Sequence, residues 1–269
     1  MAPVSVSAIT RYPVARVRAG LDVERFQTAA RTAFIDEMTD SPGDIGLLFV
    51  AGETEPELVI NGGNTAVSLS PLVCGHNVVS ATGHGSVFLL SDMEWDGLRP
   101  RMAGYIIYSS VTSLIINIGD TVMEFTLDQD DIFRLTDSNV SMPRDQEHFS
   151  VNLDQDMIDV ISEITNSSSS ISVRSSRDCL LLHVHQLIKT GGVVLDTSGS
   201  VSTQFLLTPV SIILTRAGGL ASNGSSPISD LKPKYQNDTS PFYLGDTNLL
   251  SSIIETSVSS EQQQETYYP

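Results

Sequence analysis

His183 and His185 are the first residues that invite chemistry. With one valine between them they would share a face of a β-strand and could share a metal ion there. The surrounding pattern instead predicts a helix over Leu180–Thr190, and on a helix two such residues point about 200° apart. No nearby cysteine or carboxylate completes a ligand set, so the pair reads as ordinary histidines. Asp128, Asp130 and Asp131 form an acidic cluster after a predicted strand, and Asp154 with Asp156 a smaller one. Neither has the glycine and distal glutamate of a calcium loop, so both read as solvated turns. The chain has no Walker loop, dinucleotide fingerprint, paired-cysteine zinc pattern, HExxH helix or Gly-x-Ser-x-Gly elbow.

Whatever chemistry exists must sit on a sizeable core. The 269 residues suffice for one large domain or two intimate halves. With 15 Lys+Arg against 32 Asp+Glu, the formal net charge is -17. That excludes electrostatic binding of nucleic acid or an anionic membrane. No apolar run is long enough to insert into a bilayer, because Gly104–Gly119 is interrupted by serines, Thr112 and Asn117. Two cysteines, Cys74 and Cys179, cannot make a disulfide framework, so a reducing compartment is expected. Arg11, Arg16 and Arg18 precede the first acid, Asp22, and read as part of a flexible arm rather than a transit peptide. The expected location is cytoplasmic, with a plastid or other organelle as the alternative.

Apolar spacing predicts helices at 22–39, 157–164, 180–190, from Pro209 to Ala217, and at 248–257. Strands are expected at 45–50, 57–60, 65–70, 86–90, 106–108, 113–118, 122–128, 133–136, 193–195 and 203–207. Mixed helices and strands around an antiparallel centre give an α+β layered domain. The expected organisation is an arm at 1–21, an N-terminal half at 22–142, a C-terminal half at 143–257, and a disordered acidic, Gln-rich tail at 258–269.

Six motifs then fall in order: Gly104-Tyr-Ile-Ile-Tyr-Ser-Ser110, Phe125-Thr-Leu-Asp128, Phe149-Ser-Val-Asn152, Val184-His185 before Gly191-Gly192, Pro209 to Gly219, and Tyr243-Leu-Gly245. From about residue 20 to 257 the chain resembles class I fructose-1,6-bisphosphatases and sedoheptulose-1,7-bisphosphatases. The resemblance implies a layered α/β/α/β/α sugar-phosphatase fold. It also implies hydrolysis of a sugar 1-phosphate by magnesium ions held on acidic side chains.

The residues on the implied metal site are the wrong ones. The family's Asp-Pro-Leu-Asp-Gly-Ser-Ser-Asn-Ile-Asp aligns with Ser70-Pro-Leu-Val-Cys-Gly-His-Asn-Val-Val79, so its three acids become Ser70, Val73 and Val79. Its Glu-Glu pair falls near Gly52 and Glu53, and its late glutamate ligand falls on Leu206. Magnesium wants oxygen, and valine or leucine supplies none. The expectation is a degenerate, catalytically inactive member with a vestigial metal site of Glu53, Ser70, Val73, Val79 and Leu206 and no cofactor. Asn152, Arg174 and Arg177 remain as candidates to contact the phosphate of a sugar phosphate. Such a protein would act as a structural or regulatory subunit, in a homo-oligomer or beside an active paralogue in a larger assembly. Two alternatives are a divergent magnesium-dependent phosphatase using Glu53, Glu55, Glu57 and His76, or a sugar-phosphate sensor.

Overall fold

The computed structural model describes residues 28, 30–36, 43–74, 83–94, 97–144, 148–152, 170–173, 179–233 and 235–265. Residues 28 and 30–36 are helical, and we call 30–36 α1. Strands β1 (Ile45–Val50), β2 (Glu57–Leu58), β3 (Thr65–Val73), β4 (His84–Glu94), β5 (Gly97–Tyr108), β6 (Ser113–Ile118), β7 (Thr121–Leu127) and β8 (Phe133–Asp137) form an eight-stranded sheet. Its order is β2-β1-β3-β4-β5-β6-β7-β8. Among the described residues of this sheet only the β1/β3 pair is parallel, and β3 to β8 form a continuous antiparallel meander. The Gly119-Asp120 turn joins β6 to β7, with Gly119 at φ 61° as a tight hairpin requires.

The second sheet holds β9 (His148–Asn152), β10 (Ser170–Val173), β11 (Val193–Ser202), β12 (Leu220–Ser222) and β13 (Thr239–Gly245), in the order β10-β9-β11-β13-β12. Helices α2 (Leu180–Thr190) and α3 (Thr208–Arg216) lie between the sheets. Leu181, Val184 and Leu187 from α2 and Val210, Ile213 and Leu214 from α3 share one core with Val87, Tyr105 and Ile115 of the first sheet and Val194, Phe242 and Leu244 of the second. Phe34 of α1 packs on the other face of the first sheet, against Phe88 and Leu48 among others. Leu250 and Ile253 of α4 (Thr247–Glu265) cover Val193 and Leu195 on the far face of the second. The layers are therefore α/β/α/β/α.

One close approach explains a motif glycine. A Cβ on Gly104 would lie 2.2 Å from the ring of Phe88, its cross-strand partner. Only hydrogen fits there.

Three expectations need correction. Thr203–Leu207 is a five-residue π-helix rather than a strand. Its β-branched and aromatic residues suit a strand, but Ser202 Oγ accepts from the Phe205 N–H and turns the chain, and Pro209 follows in the first turn of α3. α4 continues to Glu265, eight residues into the tail expected to be disordered; glutamate and glutamine are good helix formers and let a packed helix run on. Asp246 caps its start, accepting from the N–H groups of Asn248 and Leu249 at 2.9 and 3.1 Å. Third, the two cysteines are joined, as described below. The helix expected at 157–164 and the arm at 1–21 lie outside the described residues.

Candidate functional site

The corner where β3 ends gathers much of the implied metal site. Ser70 is buried, and its Oγ donates to the Phe205 carbonyl at 3.0 Å. Two residues earlier, Gln204 Nε2 donates to Ser68 Oγ at 3.0 Å. These bonds dock the π-helix onto β3, across 135 and 136 positions of sequence. Val73 and Leu206 are partly buried, and both pack against the central core. The turn after β1 lies alongside, because the Ala51 N–H donates to the Leu69 carbonyl. The fold therefore brings Ser70 to the π-helix that carries Leu206, while Val79 lies outside the described residues.

The surviving acid, Glu53, faces a cation of this chain. Its Oε1 accepts from Arg31 Nε at 2.7 Å, and Arg31 Nη2 lies 3.5 Å from Glu57 Oε2. Arg31 sits on the polar side of α1, and nothing in the sequence ties it to Glu53. A hard divalent ion at this corner would need several oxygen donors. The Ser70 hydroxyl is committed to a carbonyl, Glu53 is paired with Arg31, and Val73 and Leu206 offer none. The residues do not fit magnesium. Among the described residues, no group of three or more His, Cys, Asp and Glu is placed to hold a metal.

A covalent link stands next to Val73. Cys74 and Cys179 form a disulfide between the end of β3 and the residue preceding α2, with Cα atoms 5.4 Å apart. The inference of a reducing compartment from the cysteine count therefore fails. Two cysteines make no framework, but they can make one staple, and a separation of 105 residues hides their proximity. Cys74 has φ 63°, the left-handed conformation that glycine adopts freely, and it occupies the position at which the resembled motif carries glycine.

Of the phosphate candidates, Asn152 ends β9 in register with Asp196 on β11. Arg174, Arg177 and His76 lie outside the described residues. Glu55 stands exposed in the turn after β1.

His185 is on a helix, as the periodicity predicts, and its Nδ1 lies 3.1 Å from the Tyr105 hydroxyl, the rings edge to face at 6.0 Å. Glu124 and Lys189 form an ion pair beside them. Burial pushes the Tyr105 hydroxyl well above its ordinary range, and the charge of Glu124 pushes it further. Burial pulls the His185 pKa below 6.5; Glu124 opposes this and Lys189 adds to it. The imidazole is therefore kept neutral as a hydrogen-bond partner between sheet and helix. The Asp128 carboxylate accepts from Arg134 Nε at 2.7 Å and from the N–H groups of Ile132 and Asp130, each at 2.9 Å. Arg134 first, and these amides, hold its pKa below 3.8. It organises a turn.

Comparison with known proteins agrees with this architecture. Residues 142–257 match the family model of the fructose-1,6-bisphosphatase C-terminal domain. A class 1 fructose-1,6-bisphosphatase of Haloarcula marismortui is 24% identical over 220 residues, covering 77% of this chain and 74% of that one. One from Geotalea uraniireducens is 29% identical over 174 residues, covering 60% and 54%. Among solved structures, fructose-1,6-bisphosphatase of Leishmania major in its apo form superposes with a TM-score of 0.82 at 19% identity, covering 94% of this chain and 91% of that one.

Proposed function

Because the chain is a homologue of the class 1 fructose-1,6-bisphosphatases and shares their fold, its scaffold is that of a sugar bisphosphatase, and we propose that it serves as a catalytically inactive structural or regulatory subunit. The observation that carries this reading is the corner at the end of β3. There a hydroxyl bonded to a backbone carbonyl, two aliphatic side chains and an arginine-paired glutamate stand where the resemblance implies metal ligands.

Phosphate-monoester hydrolysis is among the slowest uncatalysed reactions, and enzymes accelerate it by as much as ~10²¹-fold. Clustered oxygen donors and the ions they hold neutralise the departing phosphate in such sites. An aliphatic corner cannot take that role. It can stabilise the fold, because a carboxylate cluster without its metal is costly to bury. The acidic surface suits a partner with a basic patch, either an active paralogue or another member of an assembly.

The test is an assay of phosphate release from fructose 1,6-bisphosphate and sedoheptulose 1,7-bisphosphate with magnesium. The expected result is no turnover above background. Turnover comparable to an active relative, abolished by Glu53→Gln, would overturn the proposal and favour the divergent phosphatase.

A further inference from the structure

The first sheet ends at β8, and among the described residues β8 pairs only with β7. The strand at the opposite edge, β2, is just two residues long. The Asp128 N–H donates to the Ile132 carbonyl at 3.0 Å, which makes these two a hydrogen-bonded pair. Along an antiparallel ladder, bonded and non-bonded pairs alternate. Thr126/Arg134 is therefore a bonded pair, whereas Leu127/Phe133 and Phe125/Leu135 are not. The backbone N–H and C=O groups of Phe133 and Leu135 consequently point away from β7, at the open edge. Thr136 is a bulge residue, because the register steps from Phe125/Leu135 to Glu124/Asp137, and it ends the regular edge.

The side chains around this edge define what could pair with it. Leu135 lies opposite Phe125, on the same face as Phe133. Phe125 and Phe133 pack against the outer core that holds Phe34. That apolar face runs to the edge of the sheet and stops at Leu135, which is 52% exposed. An open edge is a template for one more strand, and flanking charge selects which strand it takes. Here the available charge is acidic. Asp130, Asp131 and Asp137 are exposed and enter no ion pair among the described residues, whereas Arg134 is bonded to Asp128 Oδ2 at 2.7 Å. A second copy of this chain is a poor occupant. Pairing each Phe133 with the other copy's Leu135 would set two Arg134 side chains directly opposite each other, between chains of net charge -17.

We propose that the β8 edge docks a partner protein by taking up an extended basic segment of it as a ninth strand. The residues opposite Phe133 and Leu135 are apolar and continue the outer face. The residue between them, opposite Arg134, is polar and uncharged. The two flanking residues are basic and lie toward Asp130 and Asp131 at one end and Asp137 at the other. The pattern basic–apolar–polar–apolar–basic reads alike in either strand direction. The proposal rests on the subunit reading only for the existence of a partner, and its test involves no phosphatase assay, so either can fail without the other.

The probe is the end-blocked peptide Gly-Arg-Val-Thr-Val-Arg-Gly, titrated into the full chain with amide-resolved NMR as the readout. Saturable binding below about 1 mM is expected at low salt, with the largest shifts at the Phe133 and Leu135 amides. Raising sodium chloride to about 0.5 M should weaken it roughly fivefold. N-methylation of both valines should abolish binding, because their N–H groups are the ones that would bond to β8, and glutamate in place of both arginines should abolish it too. Leu135→Ser, at an exposed position, should weaken binding roughly fivefold and leave the melting temperature unchanged. Asp130→Asn combined with Asp131→Asn provides an independent reading of the charge. The proposal is overturned if the peptide does not saturate, if the N-methylated or glutamate peptide binds as tightly, or if both protein variants bind as the parent does. A dimer that Leu135→Ser dissociates would give the edge to a second copy. Phe133 and Leu135 amides protected from hydrogen exchange in the free monomer would give it to another segment of this chain. Either result also overturns the proposal.

Discussion

Two junctions between the first sheet and the elements that follow it have opposite characters. At the end of β3, Ser70, Val73 and Leu206 form a corner of one buried hydroxyl and two aliphatics. Further along the same sheet, Tyr105, Glu124, His185 and Lys189 form a junction of four groups able to bond or carry charge. The second lies within segments that resemble the family's motifs, whereas the first falls where that resemblance implies acids. The difference bears on what the fold itself needs. The hydroxyl–imidazole contact and the ion pair orient α2 against the sheet whatever stands at β3. Carboxylates at the corner would serve only an ion.

The strongest way to break this comparison is to rebuild the corner. The combined substitution Ser70→Asp, Val73→Asp and Leu206→Glu buries like charges against an apolar core. We expect a loss of roughly 3–5 kcal/mol without metal and partial recovery of the melting temperature in millimolar manganese. A variant as stable as the parent without metal would show that the corner is not apolar in effect. Next comes the staple beside it. Replacing both Cys74 and Cys179 with serine releases a loop closed across 105 residues. The expected cost is roughly 2–4 kcal/mol in denaturant unfolding, and a midpoint unchanged by reductant in the parent would contradict the bond.

At the polar junction, Glu124→Gln should cost less, roughly 1–2 kcal/mol, because Lys189 is 38% exposed and water screens the pair. A larger loss than that of the cysteine pair would reverse the ranking. The smallest effect is in the pH profile. The folded-state pKa of His185 lies below 6.5, so as pH falls below 6.5 the unfolded chain takes up a proton before the folded one does. Stability should therefore decline from pH 6.5 downward until the folded-state pKa is passed. His185→Gln should flatten that part of the curve, and an unchanged slope would remove His185 from the account.

The sequence makes most of the scaffold legible. The apolar run at Ile45–Val50, the apolar stretch within Ser113–Ile118 and the helical period of Leu180–Thr190 each report burial within one segment, and burial sets the local structure there. What escapes it depends on distant partners. Thr203–Leu207 has the composition of a strand, and only its docking on β3 and the turn at Ser202 make it helical. The Cys74–Cys179 bond and the Arg31–Glu53 pair link positions that no local pattern connects. No local pattern singles out Ser70, Val73 and Leu206; only resemblance to a family does.

The order of the layers has a further consequence, for synthesis on the ribosome. All eight strands of the first sheet have been made by Asp137, but the described helices that cover its inner face come from residues 180–216. Until those helices are made, the nascent chain lacks their cover over Val87, Tyr105 and Ile115. A half-made chain of this design is sticky on one side, and its yield in the cell should depend on chaperone supply more than the finished protein's stability would suggest.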